Sequence, residues 1–203
     1  EDTESKYPEI VKNIALIYNR LGQKDKALDA IKTAREANPD DVGLIITTAN
    51  IYFELGDKEA FRSSMSEAIE KDPSNPVLYY NLGVVSADLG EDDAAIEYYK
   101  KSIELDPSNE DSYLNMVAVI LQGEESIVDE MNSLGTSRSD NIRYDELKKI
   151  REDLYLQCVP ILKDLVDLNQ NIEAVRTLMN IYGTLGDNQG YMEMKNLRDQ
   201  LDQ

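Results

Sequence analysis

The chain has 203 residues, and its 40 Asp and Glu against 21 Lys and Arg give a formal net charge of −19. Binding to nucleic acids or anionic membranes is disfavoured, because both require Lys and Arg to neutralise phosphates. The chain lacks histidine and has one cysteine, which removes the usual general base and excludes an intrachain disulfide or a multi-thiolate zinc site. We therefore expect no cofactor, no metal and no catalytic activity. Direct membrane insertion is not expected either, because no apolar run approaches the roughly 20 residues that span a bilayer.

Three glycines and three prolines recur in one register. They are Gly22, Gly56 and Gly90, then Pro39, Pro73 and Pro107, each 34 residues after the one before. Glycine favours the positive φ at which many helices end, and proline cannot continue a helix. Each unit is thus predicted to be two helices joined by a tight turn. Such a pair cannot bury its apolar face alone, so neighbouring units must stack to form a core.

This pattern resembles the tetratricopeptide repeat family. Small residues fill one slot of the first helix at Ala15, Ala49 and Gly83, and the family's alanine in the second helix is Ala27, with Phe61 as an oversized exception in the next unit. The resemblance implies an all-α, right-handed superhelical array of about five helix pairs. It is expected to form a single domain over residues 1–203, with units at 8–41, 42–75, 76–109, 110–171 and 172–203.

The fourth unit departs from the register. Gly90 and Gly186 are separated by two repeats plus 28 residues, which predicts an insertion at about 123–141. We predict a helix at 124–132, a polar loop at 133–140 and a long helix at 142–168. Two interpretations of the insertion stay open. It either covers the groove or presents Ile127, Met131 and Leu134 to a partner, or it packs as an extended helix pair on its own convex side.

In tetratricopeptide arrays, the first helices of successive units line a concave groove that receives peptides or partner helices. Carried over to this sequence, the groove positions are Lys12, Asn13, Leu16, Arg20, Ile46, Thr47, Asn50, Phe53, Tyr80, Asn81, Val84, Asp88, Leu114, Asn115 and Ala118. An asparagine amide both donates and accepts hydrogen bonds, so the recurring asparagines are candidates for holding the backbone of an extended ligand. The alternative is that they satisfy local helix-end groups.

The resemblance implies a non-catalytic protein-interaction module or scaffold. Members that grip acidic tails use a cluster of Lys, Arg and Asn. Here Lys12 fits that pattern, but Leu16 replaces an asparagine, and Val77 and Asn81 stand where basic residues are needed. A neutral, apolar or basic protein or peptide partner is therefore expected rather than an acidic one.

Two other functions remain open. The chain is alternatively a constitutive structural subunit of a larger envelope assembly, without an exchangeable ligand. An enzyme regulated through these repeats would need a catalytic domain outside the chain. The sequence is similar to bacterial tetratricopeptide proteins, including exported ones, or to a fragment of a longer repeat protein, which favours the cell envelope over the cytoplasm.

The first helix is apolar around most of its circumference, with Ile10, Ile14 and Ile17 beside Val11 and Leu16. Terminal repeats normally present a polar outer face. We therefore expect either upstream repeats or a second copy of the chain to cover this helix.

Cys158 falls in a slot for a small packed residue and is interpreted as a structural thiol.

Overall fold

The computed structural model describes residues 7–202, with side chains from residue 10 onward. Within that range the chain is all-helical, with no strand. Its eleven helices are α1 (Tyr7–Arg20), α2 (Lys24–Ala37), α3 (Val42–Leu55), α4 (Lys58–Lys71), α5 (Pro76–Asp88), α6 (Asp92–Leu105), α7 (Glu110–Ile120), α8 (Glu124–Ser133), α9 (Arg138–Asn169), α10 (Ile172–Leu185) and α11 (Asn188–Leu201).

The helices group into two compact units, Glu1–Leu89 and Gly90–Gln203. The first contains α1 to α5 and the second contains α6 to α11. The division falls in the turn inside the third predicted repeat. A single continuous array over residues 1–203 stays a prediction, and residues 1–6 and 203 lie outside the described range.

The predicted turns are confirmed. Gly22, Gly56, Gly90 and Gly186 have φ of 73°, 77°, 73° and 74°, a left-handed conformation that costs glycine little because it lacks Cβ. The helices preceding the three repeated prolines end two residues before them, at Ala37, Lys71 and Leu105.

Side-chain caps start several of the first helices. Asp41 Oδ1 accepts from the backbone N–H of Leu44 at 3.1 Å, and Asn75 Oδ1 accepts from that of Val77 at 3.2 Å. Each bond satisfies one of the backbone donors that a helix N-terminus leaves unpaired. The local sequence at each turn therefore fixes where the helices stop and start.

The core of the first unit lies between paired helices. One cluster of its buried residues consists of Val11, Ala15, Ala27, Ile31, Ala34, Leu44 and Ile51. The three alanines are wholly buried. Their small side chains let the backbones of α1, α2 and α3 approach closely, as the repeat pattern predicts.

A core cluster of the second unit joins three helices. It is built from Tyr113, Val117, Tyr155, Cys158, Leu162, Leu165, Val166, Ala174, Val175, Leu178 and Ile181, on α7, α9 and α10. Leu162, Leu165 and Leu178 are wholly buried. Truncating any of these leucines to alanine is expected to cost about 2–5 kcal/mol of unfolding free energy, because a cavity remains.

The segment between α7 and α10 folds as the short helix α8 and the 32-residue helix α9. The predicted loop at 133–140 is wrong at both ends, since only residues 134–137 separate the two helices. At the C-terminal end of the loop the reason is a capping box. Ser137 Oγ accepts from the backbone N–H of Asp140 at 3.1 Å, while the Asp140 carboxylate accepts from that of Ser137 at 3.2 Å.

Charged groups hold α8 against α9. The Arg143 guanidinium donates to both carboxylate oxygens of Glu130, at 2.6 and 3.0 Å. At the first residue of α8, the Glu124 carboxylate accepts from the Arg151 guanidinium at 2.8 Å and from the Tyr155 hydroxyl. The hydrogen bond and charge of Arg143 lower the pKa of Glu130 below its ordinary value.

Cys158 is wholly buried in the core of the second unit. Burial, aided by the negative charge of Glu124, raises the pKa of its thiol to about 12. The thiolate is the reactive form of cysteine, so a raised pKa makes this side chain inert. The structural interpretation of Cys158 fits this environment.

We expect the Cys158 thiol to resist modification in the folded protein. At pH 8 a thiol-disulfide reagent that releases a coloured product should react far more slowly with the native chain than with the chain in denaturant. Full reaction in denaturant, at one thiol per chain, is the control. Native labelling as fast as that of a free thiol would contradict this account.

We expect acid to loosen α8 from α9. Because the pKa of Glu130 is lowered in the folded state, its contribution is present above the unfolded value of about 4.3 and is lost as pH falls through the folded pKa. Hydrogen exchange in α8 should therefore accelerate on acidification relative to α10, after correction for intrinsic rates. Glu130→Gln should show the loosened state already at neutral pH.

Glu125→Gln, on an exposed residue of the same helix, is the matched control for Glu130→Gln and should exchange as the unmodified chain does. Equal protection of α8 in all three proteins at neutral pH would show that the Arg143 pair does not hold this helix.

Candidate functional site

The predicted groove positions of the first unit lie on its first helices α1, α3 and α5. Of the twelve positions predicted there, Thr47 alone is fully buried. Asn13, Arg20, Asn50 and Phe53 are exposed, whereas Lys12, Leu16, Ile46, Tyr80, Asn81 and Val84 are half-buried. These helices therefore have side chains that remain at least partly accessible and are not required to form the core.

Five of these residues come together around one cavity of about 260 Å³. Its lining consists of Asn50, Phe53, Phe61, Tyr80, Asn81, Val84 and Val85. The residues come from α3, α4 and α5, so packing of three helices creates the cavity. We call this lining the aromatic patch.

Two aromatic rings define the floor and rim of the aromatic patch. Phe61 is buried, and its ring centroid lies 5.6 Å from that of Phe53, with the ring planes tilted by 56°. Phe53 is 46% exposed, a large exposure for an aromatic ring. The contact with the buried Phe61 ring supports the exposed Phe53 ring.

Sequence reasoning missed Phe61 and Val85 as part of this lining. The signal for Phe61 was present, since it replaces the alanine of the second helix. A side chain too large for that slot extends beyond it and reaches the cavity between α3 and α5. Val85 carried no comparable signal, because it lies on the periodic core face of α5.

The lining of the aromatic patch has no charged side chain. The lining presents amide, phenol, phenyl and aliphatic groups. Nearby in sequence, Asp88 pairs with Lys58 at 2.5 Å, and Lys24 donates to the backbone carbonyl of Glu54. The patch is thus suited to an apolar group flanked by hydrogen-bonding atoms.

The other predicted positions do not join this cavity. Lys12, Asn13, Leu16 and Arg20 on α1, and Ile46 on α3, lie outside its lining. The expectation that Thr47 faces the groove is wrong. Its side chain is buried, and its hydroxyl donates to the Gly43 carbonyl at 2.7 Å, a bond within its own helix.

The remaining candidates belong to the second unit. Leu114 and Asn115 on α7 are half-buried and Ala118 is exposed. Ile127 and Met131 on α8, with Leu134 just after it, are also half-buried, and no residue of α8 is fully buried. The insertion therefore keeps part of its apolar surface accessible.

A second cavity in the first unit, of about 340 Å³, lies among α2, α3 and α4. Its walls carry charged groups of both signs, including Asp29, Lys32 and Glu36. The Arg35 guanidinium there already donates to both carboxylate oxygens of Glu67 at 2.5 Å. We favour the aromatic patch as the candidate binding site because it has an exposed aromatic ring. In the second cavity, Arg35 and Glu67 already neutralise each other's charge.

Within residues 7–202, no cluster of three or more Asp, Glu or Cys side chains is arranged to hold a metal ion. In the same range, no helix combines the length and the apolar character needed to cross a bilayer.

Two tetratricopeptide repeat models match the sequence, one over residues 12–76 and one over residues 76–109. Together they cover residues 12–109, which is all but the first four residues of the first three predicted units. No curated protein gives a significant match to the chain.

Solved structures share the fold across the chain. The crystal structure of the MamA protein is 17% identical, with a TM-score of 0.63, and the match covers 96% of this chain and 91% of that one. PilF of Pseudomonas aeruginosa is 14% identical, with a TM-score of 0.53 and coverage of 98% and 93%.

A third match is to the first tetratricopeptide domain of Spaghetti (RPAP3), solved with an HSP90 peptide of sequence SRMEEVD. It is 21% identical, with a TM-score of 0.53, and covers 61% of this chain and 95% of that one. At these identities the structures show a common fold. With the glycine turns, the buried alanine slots and the two family models, they establish that the chain is a member of the tetratricopeptide repeat family.

Proposed function

We propose that this chain is a non-catalytic protein-interaction module that binds an extended peptide or a partner helix at the aromatic patch. The tetratricopeptide fold supports protein–protein interaction in general. The observation that carries the more specific proposal is the exposed Phe53 ring, held over Phe61 beside the cavity. Exposed aromatic side chains next to a pocket are typical anchors of protein interfaces.

The size of the cavity favours a side chain over a whole small molecule. Pockets that enclose small molecules usually have volumes of about 300–1,000 Å³. The aromatic patch surrounds about 260 Å³, below that range. We infer that it receives one large apolar side chain of the partner.

The amides of Asn50 and Asn81 are suited to the backbone of that partner. Both residues belong to the lining, on neighbouring helices α3 and α5. Each amide offers a donor and an acceptor, which matches the N–H and C=O groups of an extended peptide. Apolar anchoring and backbone hydrogen bonding would therefore occur at the same place.

The partner's charge follows from the acidity of the chain. A net charge of −19 attracts basic segments and repels acidic ones at long range. The peptide bound to the Spaghetti domain contains acidic residues. Here Leu16 replaces an asparagine of the members that bind acidic tails, and Val77 and Asn81 stand where those members need basic residues. We therefore propose a neutral, apolar or basic partner.

The alternative function, a constitutive structural subunit, would have the same fold but would not exchange its ligand. A subunit of that kind would keep its surfaces covered permanently, whereas an adaptor releases one ligand and takes another. The partly accessible Ile127, Met131 and Leu134 of the insertion are a second candidate surface for such an assembly. Binding and competition measurements distinguish the two functions.

We expect the double variant Phe53→Ala/Asn81→Ala to lose peptide binding. The probe is an array of short immobilised peptides of varied composition, from which the best binder is synthesised and measured by fluorescence anisotropy. Loss of the anchor ring and one amide should raise Kd at least tenfold. The fold should persist, because Phe53 is exposed and Asn81 is half-buried.

Ile150→Ala is the matched control for this double variant, since it removes a 44% exposed apolar side chain from the second unit. It should bind the same peptide as tightly as the unmodified chain. Equal Kd values for all three proteins would place binding elsewhere, and no binder on the array would favour the constitutive subunit.

We also expect a charge preference among the peptides. Peptides with an apolar residue flanked by Lys or Arg should bind more tightly than the same peptides with Asp or Glu in those positions. Raising the salt concentration from about 50 mM to about 500 mM should narrow the difference, because it shortens the Debye length. Equal or tighter binding of the acidic series would contradict the proposed partner.

A further inference from the structure

Helix α1 carries an uncovered apolar stripe. Ile10, Ile14 and Ile17 are 53%, 41% and 56% exposed, and Leu21, just past the end of the helix, continues the same line. The spacing of four, three and four residues places all four on one face, as in the seam of a pair of packed helices. We call Ile10, Ile14, Ile17 and Leu21 the α1 stripe.

The equivalent positions of later repeats show that this face is built for packing. The residues matching Ile10, Ile14 and Ile17 are all buried, and they are Leu44, Thr48 and Ile51 on α3, Leu78, Leu82 and Val85 on α5, Ser112, Met116 and Val119 on α7, and Ala174, Leu178 and Ile181 on α10. The residues that match Leu21, such as Leu55 and Leu89, are exposed in later repeats. The comparison therefore depends on Ile10, Ile14 and Ile17.

In each later repeat a preceding helix provides the cover. Helix α2 packs against α3 and α4 against α5 in the first unit, while α6 packs against α7 and α9 against α10 in the second. Helix α1 presents the same face, with larger aliphatic side chains than some of its equivalents. Three half-exposed isoleucines on one face are costly to leave in water.

The polar character of α11 argues against head-to-tail stacking of chains. Its outer positions carry Lys195 and Arg198, where the second helices of earlier repeats carry large and small packed residues. The large ones are Ile31, Met65 and Tyr99, and the small ones are Ala34, Ala68 and Ser102. Helix α11 therefore has two basic side chains at positions that are packed in earlier repeats, whereas the α1 stripe is entirely aliphatic.

The α1 stripe is instead complementary to itself. Two such helices packed antiparallel about a two-fold axis would place Ile14 and Ile17 of each copy at the centre of the contact. Two-fold contacts of this kind, in which both copies use one surface, are the commonest in soluble oligomers. A repeat of aliphatic residues at alternating spacings of three and four is the pattern that pairs helices.

The charge of α1 permits this contact in an otherwise acidic chain. The helix has one acidic residue, Glu9, and two basic ones, Lys12 and Arg20. The helix therefore carries little charge of its own, so two copies of it meet with little repulsion. In an antiparallel pair, position 9 at the start of one helix comes near Arg20 at the end of the other, so charges of opposite sign share each end.

We propose that two copies of this chain associate through the α1 stripe in an antiparallel, two-fold contact. The surface differs from the aromatic patch, so dimerisation and peptide binding are independent properties. The stripe alone is smaller than the roughly 1,200–2,000 Å² interface of stable complexes, which makes the association reversible and dependent on concentration.

Sedimentation equilibrium of the full chain tests this proposal. Up to about 0.5 mM, the mass of the unmodified protein should rise from 23.0 kDa towards twice that value. Ile14→Glu/Ile17→Glu should remain at the single-chain mass, because charged side chains would be desolvated at the centre of the contact. Far-UV circular dichroism verifies that this variant keeps its helices.

The control is Ile142→Glu/Ile150→Glu, which changes two isoleucines on α9 that are 54% and 44% exposed, close to the exposures of Ile17 and Ile14. It should associate as the unmodified chain does. A single-chain mass for the unmodified protein throughout this range would overturn the proposal. So would undiminished association of the stripe variant.

Disulfide trapping covers the case in which the charged variant loses helical structure. Ile14→Cys/Ile17→Cys should form an intermolecular disulfide under mild oxidation, because residue 14 of one copy lies opposite residue 17 of the other. The buried Cys158 does not compete for it. Ile142→Cys/Ile150→Cys is the control, and equal cross-linking of the two double variants would overturn the proposal.

Discussion

The structure depends on burial of an apolar face that no helix pair can cover by itself. Leu44 and Ile51 on α3 are buried because α2 packs against them, and Leu178 on α10 is buried because α9 does the same. Each contact removes aliphatic surface from water on both sides at once. The stability of a repeat is therefore shared with its neighbour, and an end without a neighbour must be either polar or covered.

The same constraint leaves other faces of the first helices free for recognition. Packing uses the sides of each helix that meet its neighbours, so Phe53 and Asn50 on α3 contribute little to the core. Their exposure is compatible with stability because the glycine turns, the caps and the alanine slots already define the helix pairs. A binding surface can thus vary in chemistry while the scaffold beneath it is retained.

Phe61 joins the scaffold to that surface. It occupies a slot that holds alanine in the first and third repeats, and its ring supports Phe53 from the core side.

Acidic residues act at longer range. Pairs such as Lys58 with Asp88 and Lys71 with Asp40 are largely solvent-exposed, so each contributes little to stability. The excess negative charge matters more for which partners approach.

The sequence by itself determined the local structure. Glycine and proline in a fixed register specify where helices end, because φ preferences and the missing N–H of proline act within a few residues. The alanine slots specify close approach for the same local reason. The start of α9 was also encoded locally, in the Ser137 and Asp140 capping box, although the polar composition around it resembled a loop.

Only the tertiary structure decided which side chains meet. Periodicity identifies the face on which Asn50, Phe53 and Tyr80 lie, but their convergence with Phe61 depends on how α3, α4 and α5 pack. Helix packing also buries Thr47, although other residues of α3 are exposed, and it leaves Ile14 exposed although the equivalent residues of later repeats are buried. Contacts between residues distant in the chain depend on the geometry of the packed helices, which no local pattern records.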